Sequence, residues 1–309
     1  MTRLRVRSVF LGTPAAAVPA LAALAASTEV MGVYTRPDKP RGRSGRPMPS
    51  AVKTRAVELG IPVFEPANAG DLTEALAAVA PIDIGVVTAY GTLVRARALD
   101  IPARGFVNVH FSLLPRWRGA SPVVAAILAA DEETGVTLMH LDEGLDTGPI
   151  IAARPVVIGR DETGGELTAR LAAIGSDLLM DHIFEWVDGN VSSTPQPATG
   201  VTVATKLTKA DRLLDLSETA WNLARRVRAL APAPGAVLSI AESPLLVLAA
   251  RGLARTVPLG RVSVIDGSVL VGASQGSLEL LVVQPASRRP MPAADWLRGH
   301  PVPPEMMAP

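Results

Sequence analysis

Residues 4–34 read LRVRSVFLGTPAAAVPALAALAASTEVMGVY, and their reading decides the fold. An apolar run over 4–11 meets the turn Gly12-Thr13-Pro14, an Ala-rich stretch follows over 15–26, and a second apolar run occupies 30–34. That order predicts strand, turn, helix and strand, which together make a βαβ unit. The same stretch has the make-up of a secretory leader, with basic residues ahead of a small apolar run. Pro14 and Pro19 interrupt that run, and the second strand follows directly, so we read it as the opening of a sheet. No other part of the chain has an uninterrupted apolar run of about 18 residues, so a cytoplasmic protein without a membrane span is expected.

Working outward, β-rich runs at 61–64, 82–88, 106–109, 137–141 and 150–158 alternate with helical patterns at 50–59, 71–80, 120–130 and 166–187. Apolar strands set between helices are buried on both faces, which predicts an α/β domain with a parallel sheet of Rossmann type. Residues 188–203 are rich in Ser, Thr, Pro, Gly and Gln and read as a linker. Beyond them a helix over 217–230 is expected, with Ser217 as N-cap and Leu223, Val227 and Leu230 on one side. Short strands follow at 236–240, 245–250, 261–265, 269–271 and 278–284, with Asp266-Gly267 as a hairpin turn. They suggest a small β-barrel like the OB-fold. The expected division is 1–189, a linker at 190–206, and 207–309.

The 309 residues contain no Cys, which removes disulfides, thiolate metal sites and cysteine nucleophiles together. A net charge of +1 conceals an asymmetry: residues 1–205 carry 18 basic and 21 acidic side chains, whereas 206–309 carry 12 and 8. The C-terminal third is thus the basic part. A second basic concentration, Arg36, Lys39, Arg41, Arg43 and Arg46 with only Asp38 against them, lies among Pro and Gly after the second strand. It reads either as a solubilising loop or as a phosphate-binding one, since Arg offers paired donors to phosphate oxygens. Arg225 and Arg228, three apart on the 217–230 helix, are expected to face water or an RNA backbone.

In an open parallel sheet ligands bind beyond the carboxyl ends of the strands. No GxGxxG follows the first strand, which argues against a dinucleotide. Ala89-Tyr90-Gly91 follows the fourth and reads as a strand-to-loop turn near the same crevice. Alternation along 106–110 sends Asn108 and His110 to one face, a carboxamide donor beside a proton carrier. Asp146, in the acidic Gly-punctuated loop 142–149 (DEGLDTGP), is placed to support an imidazole. A metal hydrolase using His110, His140, Asp142 and Asp146 is conceivable on residue types, but no metal-ligand spacing supports it, and no metal is expected.

Residues 108–119 (NVHFSLLPRWRG), with Gly135-Val136-Thr137 and the 142–148 loop, resemble the folate-dependent formyltransferases, and the similarity runs from Leu11-Gly12-Thr13-Pro14 to residues 231–236 (APAPGA). The resemblance implies formyl transfer from 10-formyltetrahydrofolate, and within the family the nearest pattern is that of the branch acting on the α-amine of methionine on initiator tRNA. It implies that Asn108 steadies the formyl oxygen, His110 moves the proton and Asp146 completes the trio. Ser112, Leu113, Leu114 and Pro115 correspond to its folate-contacting segment, and the Arg36–Arg46 loop to the part meeting the tRNA acceptor end, with Arg43 matching its arginine best. Phe111 stands where the family commonly has a small residue or Pro; strand alternation sends its ring to the face opposite His110. A formyltransferase acting on a ribonucleotide or amino sugar, or a non-catalytic RNA-binding protein, are the alternatives. The first would not need the basic segments, and the second leaves Asn108, His110 and Asp146 without a purpose. A monomer is expected.

Overall fold

The computed structural model describes residues 5–40, 45, 47–240 and 243–299. The chain divides into two compact units: one holds the residues up to Pro122 with Glu133–Val157 and Thr168–Thr205, the other Val123–Glu132, Ile158–Leu167 and the residues from Lys206 on. The tract read as a linker therefore belongs, up to Thr205, to the first unit.

The first unit is built on strands β1 (Arg7–Gly12), β2 (Glu29–Tyr34), β3 (Val63–Phe64), β4 (Ile84–Thr88), β5 (Phe106–His110), β6 (Glu133–His140) and β7 (Ile150–Val157). They lie in the order β7-β6-β5-β4-β1-β2-β3. The five strands from β3 to β5 are parallel, as the buried apolar runs predict. The sheet then turns back on itself, with β6 antiparallel to β5 and β7 antiparallel to β6. Helix α1 (Val18–Ser27) carries Pro19 in its first turn, where a missing N–H is harmless. Helix α2 (Ala51–Glu58) starts at Ser50, whose hydroxyl accepts the Lys53 N–H. Val9, Leu11, Tyr34, Val87 and Phe106, all buried, form one core of this unit with Leu72 and Leu76 from α3 (Ala69–Ala77).

The strand order reverses between β1 and β4. That is the switch point at which an open α/β sheet offers a crevice.

In the second unit helix α4 is Ala220–Leu230, and its cap is Thr219, whose hydroxyl accepts the Asn222 N–H. Ser217 was the expected cap; its own N–H is taken by Asp215 Oδ1, and the helix starts later. Leu223, Val227 and Leu230 are buried as the pattern requires. They cover the antiparallel sheet of β8 (Ala236–Ile240), β9 (Ser243–Leu253), β10 (Val262–Ile265), β11 (Ser268–Gly272) and β12 (Ser277–Pro285), ordered β8-β9-β12-β11-β10. Asp266 and Gly267, at φ 53° and 81°, make the two-residue turn from β10 to β11. Among the described residues no ladder joins β8 to β10, so the barrel is partly open, as OB-type barrels are. Among the described residues no helix is long and apolar enough to cross a membrane.

Candidate active site

A cavity of about 510 Å³ opens in the first unit at the switch point. Pro14 from the turn after β1, Val87 from β4 and residues 89–94 from the loop after it, Asn108 to His110 from β5 with Phe111 just beyond, and Leu141, Asp142 and Gly144 to Asp146 from the loop after β6 all line it. Its walls are largely apolar. The polar groups gather at the β5 end, where Asn108 and His110 are only 7% and 6% exposed.

Period-two alternation delivers Asn108 and His110 together. The antiparallel return of β6, with Asn108 opposite Met139 and His110 opposite Thr137, brings the 142–149 loop back to the same end of the sheet. Asp146 there faces both: Asn108 Nδ2 donates to its Oδ1 at 3.2 Å, and His110 Nδ1 lies 3.7 Å from its Oδ2. The same Oδ2 accepts the Gly119 N–H at 2.8 Å. His110 Nε2 meets the Trp117 carbonyl at 2.9 Å and must donate to it, because a carbonyl only accepts. In the neutral ring Nδ1, facing the carboxylate, therefore carries the lone pair.

The backbone around these atoms is under local constraint. Asp146 and Trp117 adopt left-handed φ values of 52° and 59°. Gly119, at φ 109°, approaches Ala204 so closely that a Cβ would meet its carbonyl oxygen at 2.6 Å. Asp142 clamps its own loop, accepting from the Gly144 N–H and the Thr147 hydroxyl. Thr13 Oγ1, in the turn after β1, donates to the Tyr90 carbonyl. Burial pushes the Tyr90 phenol up to about 12, with the Arg36 guanidinium pulling the other way.

Ser112, Leu113, Leu114 and Pro115 are not among the cavity-lining residues. Ser112 Oγ donates to the Arg116 carbonyl at 2.6 Å, and Thr137 Oγ1 ties the Ser112 carbonyl and the Leu114 N–H. Leu113 packs over Gly135 of β6. Phe111 contributes to the cavity wall, while its ring edge lies against Gly175, next to Val109 and Val136. Arg36 reaches the Gly91 turn, and Lys39 is exposed on a two-residue strand, Lys39–Pro40, paired with Pro47–Met48. Arg41, Arg43 and Arg46 lie outside the described residues.

In the second unit Arg225 and Arg228 line a cleft with Arg160, Arg251 and Trp221, which is 46% exposed. Arg228 differs from the expectation of a water-facing side chain: Nη1 donates to the Gly159 and Glu162 carbonyls, and burial together with the neighbouring Arg225 holds its pKa below the usual arginine value. Arg225 makes one long contact, to Asn222 Oδ1 at 3.3 Å. Among the described residues no group of three or more His, Asp or Glu side chains is placed to hold a metal ion.

The Gly119 N–H, the Trp117 carbonyl and Gln196, whose Nε2 donates to the Asp146 carbonyl at 2.8 Å, were not anticipated. Two are main-chain atoms that any residue carries, and the third sits in a tract whose composition says only turn and loop.

The seven-stranded sheet with a cavity at its switch point and the separate antiparallel sheet of the second unit fall in a class of protein that sequence comparison names. The family model described as formyl transferase matches residues 6–183, and that described as formyl transferase, C-terminal domain, matches 206–301. The chain belongs to the formyl transferase family. Among curated relatives, the methionyl-tRNA formyltransferase of Halorhodospira halophila is 48% identical, over 95% of this chain and 96% of the relative. That of Streptomyces coelicolor is 44% identical, over 94% and 96%. Among solved structures, an N-formyltransferase from Helicobacter canadensis in complex with folinic acid and dTDP-3-aminofucose has the same fold at TM-score 0.67 and 17% identity, over 89% of this chain and 98% of that one. HypX from Aquifex aeolicus in complex with tetrahydrofolic acid does so at TM-score 0.64 and 16% identity, over 95% and 47%.

Proposed function

We propose that this protein transfers the formyl group of 10-formyltetrahydrofolate to the α-amine of methionine on initiator tRNA. The observation that carries the reading is the convergence of Asn108, His110 and Asp146 at one end of a mostly apolar cavity. It is supported by relatives of nearly equal length that bear the name methionyl-tRNA formyltransferase.

The cavity fits a folate in kind, with a mostly apolar lining for a flat heteroaromatic ring and Asn108, His110 and Asp146 grouped at one end. When bound there, the donor supplies the formyl carbon. Asn108 commits one amide hydrogen to Asp146 and offers the other to the formyl oxygen as negative charge develops; losing such a donor costs about 2.7–4 kcal/mol of transition-state stabilisation. His110 receives the amine proton at Nδ1 and returns it to the departing nitrogen, while Asp146, held by Gly119, supports the imidazolium. With no Cys present, direct transfer fits this site better than a covalent formyl-enzyme. The 112–115 segment, which the resemblance offers as donor-contacting, serves in this reading mainly to fix the turn that aims the Trp117 carbonyl at His110. The Arg36–Arg46 loop and Arg225 of α4 are the tRNA-binding elements, with Arg228 beside it held by the Gly159 and Glu162 carbonyls, and the setting is the cytoplasm.

Incubation with Met-tRNA and 10-formyltetrahydrofolate should yield formyl-methionyl-tRNA. Formylation of a nucleotide-linked amino sugar in its place would overturn the choice of acceptor while leaving the chemistry standing.

A further inference from the structure

We infer that Gln196 is a positioning residue for the transfer, and that residues 194–204 brace the reacting groups. The inference rests on reading Asn108, His110 and Asp146 as the reacting trio. Gln196 Nε2 donates to two carbonyls, of Asp146 at 2.8 Å and Gly148 at 2.7 Å. Its Oε1 accepts from Arg118 Nε and Nη2 at 3.0 and 2.7 Å. This network leaves only one orientation for the amide: flipped, its oxygen would face two carbonyls and its NH2 a guanidinium.

The amide is thus fixed on one side by a charged bidentate contact and on the other pins the backbone of the residue whose carboxylate serves both Asn108 and His110. A non-Gly residue at φ 52° persists only where its surroundings over-determine it. Gln196 supplies that constraint at Asp146. Arg118 precedes Gly119, the donor to Asp146 Oδ2, so the same bracket reaches the carboxylate from its other end.

The chain around Gln196 repeats the pattern. Thr194 exchanges both main-chain bonds with Ile150, at 2.7 and 2.8 Å. Thr202 Oγ1 accepts the Trp117 N–H at 2.8 Å, its carbonyl accepts the Arg118 N–H at 2.9 Å, and the Ala204 carbonyl accepts the Ala120 N–H. Trp117 is the residue whose carbonyl holds His110 Nε2. One segment therefore fixes the partner of each ring nitrogen of His110. Gln196 does not line the cavity, and its amide is committed to Asp146, Gly148 and Arg118, so it acts through Asp146.

The test uses the full-length chain under single-turnover conditions with saturating Met-tRNA and donor. Gln196→Ala should lower the transfer rate by ~10²-fold, the scale set by an ångström of misplacement, while the KM for Met-tRNA stays within ~3-fold. Gln196→Glu, which keeps an acceptor for Arg118 but sets a carboxylate oxygen against two carbonyls, should fall at least as far. In an Asp146→Asn background Gln196→Ala should cause no further loss, because both changes break the same path. Equal losses in both backgrounds, or a wild-type rate for Gln196→Ala, would overturn the proposal. Should Gln196→Ala fold poorly, Arg118→Met leaves Gln196 in place without its anchor and should show the same selective loss of rate; an unchanged rate there counts against the bracket. Amide exchange at Gly119 should quicken in Gln196→Ala at unchanged global stability. That readout needs no activity, so a wild-type chain that does not formylate Met-tRNA would sink the functional reading without deciding the brace, which an unchanged Gly119 exchange would sink separately.

Discussion

The polar end of the first unit's cavity and the arginine-bearing face of α4 in the second are both functional candidates, and they are built on opposite principles. Around Asp146 the reacting groups are tied to partners that are themselves held: Asn108, Gly119 and Gln196 converge on one residue, and Trp117 fixes the far side of His110. On α4, Arg225 has, among the described residues, a single long contact, and Trp221 stands half in water. Reactions need atoms placed within fractions of an ångström, whereas attraction to a phosphate chain survives a mobile side chain. Arg228 shows the boundary between the two, a cation on the charged face that the fold has already put to structural use.

The contrast breaks or sharpens on three sets of variants. The largest effect is expected from His110→Ala, which should lower turnover at least ~10²-fold while tRNA binding stays nearly intact. Asp146→Asn should also depress turnover in a folded protein, and a normal rate in either would dissolve the distinction at its strong end. Phe111 comes next: with its ring edge beside Gly175 and Val109, Phe111→Ala should destabilise the first unit by about 3–5 kcal/mol in denaturant melts. Improved donor binding without loss of stability would mean that the ring obstructs the cavity.

Smallest are the arginines of α4. Arg228→Ala should lower stability by about 1–3 kcal/mol through its lost carbonyl contacts. Arg225→Ala should leave the melting temperature unchanged and reduce the salt slope of tRNA binding by about one unit. Equal behaviour of the two would erase the difference drawn between them.

How much of this was legible in the sequence follows the same divide. Period-two alternation placed Asn108 and His110 on one face, and the apolar runs with Ala-rich stretches between them gave the parallel core, because those signals are local. The antiparallel return of β6 has no local signal; it is a matter of which edge the chain rejoins. The expected cap, Ser217, gives way to Thr219, whose hydroxyl accepts the Asn222 N–H; both residue types cap well, so composition does not separate them, and Ser217 N–H is instead bound by Asp215. Main-chain donors such as Gly119 N–H are invisible to any reading of side-chain types. Arg225 and Arg228 look alike as letters and differ only because Gly159 and Glu162 present carbonyls to one of them.

The tract from Thr194 to Ala204 alters what counts as the portable catalytic piece of this architecture. Cut after the long helix Gly164–Asp188, a fragment would retain every side chain of the trio together with the whole seven-stranded sheet, yet lose the partners of Trp117, Arg118 and Asp146. A graft or gene fusion that takes this module as a unit has to carry it through Ala204. The tract that composition marks as the natural place to splice is the one whose removal dismantles the site.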